Sequence, residues 1–113
     1  MRIHHFIFFT FFLTLSLFSK VENLFSGSSL DAFEFAPNSW GIDSDGSIVC
    51  RMEKTKDKKG GERLKGMGYL WTKNNYGDFS LTLDYKLSEG ANSGIFYRTN
   101  PKDPVQGGFE IQL

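Results

Sequence analysis

Between Phe79 and Leu87 the chain alternates strictly: Phe79, Leu81, Leu83, Tyr85 and Leu87 share one parity, and Ser80, Thr82, Asp84 and Lys86 the other. Successive side chains of an extended backbone point to opposite faces, so this pattern predicts a strand with one apolar and one wet side. An apolar face needs a second layer to cover it. No segment shows a sustained 3.6-residue apolar period with caps, so a helix is not expected to supply that layer. The sequence therefore predicts an all-β protein, built as an antiparallel sandwich.

The remaining strand signals are shorter. Asp31–Phe35, Ser39–Ile42, Ser47–Met52, Tyr69–Lys73, Ser93–Thr99 and Gly108–Leu113 are β-prone runs separated by Gly, Asn, Asp, Ser and Pro. Asp43-Ser44-Asp45-Gly46 between two of them predicts a hairpin, because Gly46 takes a positive φ without a Cβ clash. Arg51–Gly66 carries seven basic and three acidic residues with almost nothing apolar, and is expected to be a solvated loop; a phosphate or polyanion patch is the alternative, disfavoured by the mixed signs and the lack of interleaved aromatics. Its Gly60-Gly61 pair lacks the Lys-Ser/Thr continuation of a phosphate loop.

A length of 113 residues suffices for one domain. Met1–Ser19 has a charged start at Arg2 and a nearly unbroken apolar run from Phe6 to Phe18, the pattern of a cleaved export signal. That run is shorter than the ~20 apolar residues that span a bilayer, so removal is favoured over an uncleaved anchor, and no membrane association is expected afterwards. An exported protein, periplasmic or extracellular, follows.

Residues 20–113 carry 12 basic and 13 acidic residues. A near-neutral chain has no general pull on nucleic acid, so no nucleic-acid partner is expected. Cys50 is the sole cysteine, which precludes an internal disulfide; it reads as a small buried residue on a strand. His4 and His5 both lie in the leader, so the mature chain has no imidazole. That removes Ser-His-Asp and Cys-His catalysis and any zinc site that needs His. Chemistry then has to run on carboxylates, Lys, Arg, Tyr or a metal bound by oxygen, and no cofactor or particular metal ligand set is expected.

The last two strand candidates hold the residues most suited to chemistry. With the apolar sides turned inward, Arg98, Glu110 and Gln112 are expected on one wet patch, beside Asp84 and Lys86 if the preceding strand is adjacent. Guanidinium, carboxylate and amide groups at fixed strand positions suit a polyol, and Phe96 offers a platform for a ring face. A cross-strand Arg98–Glu110 ion pair on an ordinary solvated face is the competing reading.

Four stretches carry a family resemblance: LFSGSSLDAFEF from Leu24, WGIDSDGSIV from Trp40, GYLWTKNNYGDFSLTLDYKLSEGANSGIFYR from Gly68 and GGFEIQL from Gly107. In this order they resemble the amino-terminal half of the 3-keto-disaccharide hydrolase domain family, exported bacterial proteins with a concanavalin A-like jelly-roll β-sandwich. From Leu24 onward almost the whole chain is covered, although Arg51–Gly66 is longer than the family's usual segment there. The resemblance implies a carbohydrate substrate carrying a 3-oxo group, cleaved by removal of the C2 proton and departure of the C1 substituent. It makes Arg98 the candidate electrophile, Glu110 the candidate base or orienter, and Asp84, Lys86, Asn92 and Gln112 candidate sugar contacts. The alternative is a non-catalytic carbohydrate-binding module of the same fold, or an inactive fragment. Because the family domain continues for roughly as long again beyond Leu113, residues 20–113 alone are expected to be marginally stable and inactive.

Overall fold

The computed structural model describes residues 20–113, so the leader expected at Met1–Ser19 lies outside the described residues. The protein is all-β: eight short strands and no helix among the described residues. They are β1 (Phe33–Glu34), β2 (Trp40–Ile42), β3 (Ile48–Cys50), β4 (Met52–Lys56), β5 (Glu62–Gly66), β6 (Trp71–Thr72), β7 (Gly94–Tyr97) and β8 (Phe109–Gln112). They pair antiparallel as four two-stranded ribbons, β1 with β6, β2 with β3, β4 with β5 and β7 with β8. The chain divides into two compact units, the first ending at Asn75 and the second running from Tyr76 to Leu113.

In the first unit the Asp43–Gly46 hairpin forms as expected. Gly46, at φ 82°, donates its N–H to the Asp43 carbonyl at 2.9 Å, and the Asp45 carboxylate accepts the Ser47 N–H at 2.9 Å. The strand expected over Ser47–Met52 changes partner at Arg51. The Arg51 N–H reaches the Ser39 carbonyl at 2.8 Å, while its carbonyl accepts from Met67 N at 3.0 Å. Ser39 is the deepest residue of this junction, fully buried, with its hydroxyl donating to the Ala36 carbonyl at 2.6 Å. Cys50 is half-buried here rather than enclosed, because its strand has no covering apolar layer over it.

Two expectations are corrected. Arg51–Gly66 is not an open loop: Met52–Lys56 and Glu62–Gly66 form a five-pair ladder from Met52↔Gly66 to Lys56↔Glu62. Turn chemistry outweighs charge there. Asp57 Oδ1 accepts the N–H groups of Lys59 at 2.8 Å and Gly61 at 2.9 Å, and Gly60 takes a φ of 84° that favours glycine. Conversely, Phe79–Leu87 alternates but is not a strand. Alternation sets which side chains share a face; a strand also needs a neighbour with free N–H and C=O groups in register, and none of the described residues supplies one. Asp84 and Lys86, expected on an adjacent strand, therefore stand on an exposed non-ladder segment.

No hydrophobic side chain is fully buried among the described residues. The second unit instead leaves Phe79, Leu81, Leu83 and Tyr85 between 44% and 60% exposed. The described fold therefore positions groups on ribbon faces rather than in an enclosed core.

Candidate functional site

The site lies on β7–β8. Their register sets Gly94 opposite Gln112, Ile95 opposite Ile111, Phe96 opposite Glu110 and Tyr97 opposite Phe109. With a side-chain period of two, Gly94, Phe96, Glu110 and Gln112 share one face, and Ile95, Tyr97, Phe109 and Ile111 the other. The register holds because the second face has its own pairing energy: the Tyr97 and Phe109 rings stack at 5.5 Å with an interplanar angle of 24°.

On the first face Gln112 Nε2 donates to Asn92 Oδ1 at 2.7 Å and also to the Ser93 carbonyl. The same carbonyl accepts the Leu113 N–H at 3.0 Å, so side chain and ladder anchor each other. The Glu110 side chain folds back over Gly94, into the space a Cβ there would occupy. Only a glycine at position 94 leaves room for the carboxylate in that position. Glu110 has no ion-pair partner among the described residues, and it is exposed. The patch thus combines an accepting carboxylate with two primary amides whose remaining Asn92 N–H donors and Gln112 Oε1 acceptor suit vicinal hydroxyls. Phe96 is half-buried directly across from Glu110.

Arg98 is not brought to this patch. β7 ends at Tyr97, and Arg98 adopts φ 49°, which breaks the parity on which its expected position rested. Its guanidinium Nη2 meets Asp78 Oδ1 at 3.0 Å. This pair also replaces the Arg98–Glu110 ion pair of the competing reading. Arg98 and Asp78 border an open groove of about 560 Å³ on the side of Ile95, Tyr97 and Ile111, with Phe79, Leu81 and Leu83 as its other wall. Arg98 keeps 64% of its side-chain surface exposed and Asp78 is fully exposed, so solvent screens the pair strongly.

Asp84 and Lys86 carry the opposite parity to the groove wall and are exposed, with no hydrogen bond or ion pair to Glu110 or Gln112 among the described residues. Two positions that shape the candidate site escaped the sequence reading. Gly94 reads as an ordinary turn glycine after Ala91-Asn92-Ser93, and its need for close approach appears only once β8 is in register. Asp78 sits in the Tyr76-Gly77-Asp78 turn, where an acidic residue is unremarked. The Pro-containing segment after Thr99 was the available sign that Arg98 stands at a strand end.

A family model described as a 3-keto-alpha-glucoside-1,2-lyase-like domain matches residues 20–113. No curated protein and no solved structure matches the chain.

Proposed function

We propose, because the chain belongs to the 3-keto-alpha-glucoside-1,2-lyase-like domain family, that its substrate is a glycoside oxidised at C3 and that β7–β8 carries the proton-transfer chemistry. The observation behind this reading is the Asn92–Glu110–Gln112 patch gathered over Gly94. A C3 ketone acidifies the C2 hydrogen. Glu110 takes that proton and the C2–H electron pair moves into an enolate with the C3 oxygen. The pair then forms the C1–C2 double bond as the C1–O bond breaks, its electrons leaving on the aglycone oxygen, which takes a proton from water. Water adding across the double bond turns the elimination into a net hydrolysis; without that step the protein is a lyase. Asn92 and Gln112 hold ring hydroxyls and fix the C2 hydrogen toward the carboxylate.

Arg98 borders the groove on the face opposite Glu110, so to serve as electrophile it has to release the Asp78 carboxylate and also swing past the end of β7 to the Glu110 face, where it would stabilise the developing enolate at the C3 oxygen. Asp84 and Lys86 contribute contacts at the periphery of the sugar. The reading extends to an exported protein with the jelly-roll sandwich of the family.

The test is release of aglycone from a 3-keto-glucoside by the full-length protein. Glu110→Gln is expected to lower turnover about 10³-fold, the range for loss of a general base. Arg98→Met is expected to cost at least tenfold. Turnover within a few-fold of the parent for both variants overturns the assignment, and saturable sugar binding with no release replaces it with a binding module.

A further inference from the structure

We propose that the β4–β5 ribbon is a docking arm for an acidic polysaccharide. The charge of residues 20–113 is segregated. Arg51–Gly66 holds seven basic and three acidic residues, net +4, while the other described residues hold five basic and ten acidic, net −5. A chain that is almost neutral as a whole thus concentrates its positive charge on one ordered ribbon, whose residues are nearly all exposed.

The two acidic residues nearest the turn are already engaged. Asp57 holds the turn amides of Lys59 and Gly61 and Glu62 lies 3.5 Å from Lys54 Nζ, while Glu53 sits in the ladder across from Lys65, away from the turn. Lys56, Lys58, Lys59 and Arg63 have no ion-pair partner among the described residues. Like charges crowded on a fixed turn repel one another, and a polyanion laid along it relieves that repulsion.

The chemistry of the tip selects the polymer. Lys56 to Glu62 contains no apolar side chain to enter a bilayer interface and no aromatic ring to stack on a base. It presents point charges, which suit the regularly repeated carboxylates of a polyuronate. The inference draws on the family only for the polymer class, carbohydrate, and not on Glu110 or its chemistry.

Titration of the full-length protein with polygalacturonate at low ionic strength tests it, with neutral dextran as the control. The triple variant K56Q/K58Q/K59Q is expected to bind at least tenfold more weakly, and K20Q/K73Q/K102Q, which removes equal charge elsewhere, within twofold of the parent. K56R/K58R/K59R is expected to retain binding within twofold, which separates lost charge from a damaged ribbon. Half-molar salt is expected to abolish the interaction. Equal weakening by the two glutamine triples, absence of binding in the parent, or tighter binding to phosphatidylglycerol vesicles or DNA than to polygalacturonate overturns the proposal. Turnover of a 3-keto-glucoside is measured on the same variants, so failure of docking and failure of the proposed chemistry are told apart.

Discussion

β4–β5 and β7–β8 are both two-stranded antiparallel ribbons, yet they are held in register by opposite means. In β4–β5 five residues join the strands, and the Asp57 carboxylate with Gly60 and Gly61 fixes the turn, leaving the faces to charged groups. In β7–β8 eleven residues separate the strands and no tight turn sets the pairing; Tyr97 on Phe109, Ile95 across from Ile111 and Gln112 on Asn92 and Ser93 do so instead. A ribbon whose turn carries the register is free to vary its side chains. One whose side chains carry it has few positions to spare, and those that remain are the ones available for chemistry.

The sharpest way to break this contrast is at Gly94. Gly94→Val introduces a side chain where the Glu110 carboxylate lies, so turnover is expected to fall about 10²-fold, the scale of a misplaced catalytic group. Cross-strand amide contacts between β7 and β8 are expected to persist in NMR spectra, because position 94 faces away from the Tyr97–Phe109 stack. Unchanged turnover with a displaced Glu110 would separate the carboxylate from the reaction.

On the other ribbon the sensitive residue is in the turn. Asp57→Ala removes the acceptor for two turn amides and is expected to weaken the local structure by about 1–2 kcal/mol, seen as faster amide exchange over Met52–Gly66. Asp57→Asn keeps a side-chain oxygen and is expected to recover most of the protection. Neither variant is expected to change turnover. The smallest effect is expected at Lys54: Lys54→Gln breaks an exposed pair with Glu62 and shifts stability by a few tenths of a kcal/mol, about the worth of a solvent-screened ion pair. A loss as large as that of Asp57→Ala would show that facing charges, not the turn, hold this ribbon.

The same division explains what the sequence discloses. Local turn chemistry is legible: Asp43–Gly46 was expected as a hairpin and is one. The turn at Asp57–Gly61 carries comparable signals, but the surrounding Lys and Glu suggested solvation, since charge says where side chains go and little about backbone pairing. Phe79–Leu87 fails for the complementary reason, because its alternation sorts side chains without naming a ladder partner. Of the site, the shared parity of Phe96, Glu110 and Gln112 was legible from period two alone. The place of Arg98 was not: the Pro-containing segment after Thr99 signals a strand end nearby, but not the positive φ just past Tyr97 that redirects the side chain. The close approach of Glu110 to Gly94 requires the cross-strand register, which is a property of two segments together.

The central claim is that Glu110 removes the proton at C2 of a 3-keto sugar. Incubation of a 3-keto-glucoside with the full-length protein in deuterated water, followed by proton NMR, reads that step directly. Loss of the C2 proton signal in step with aglycone release, with both abolished in Glu110→Gln, is the predicted result. Aglycone release with the C2 proton fully retained in the sugar product, or undiminished exchange in Glu110→Gln, would contradict it.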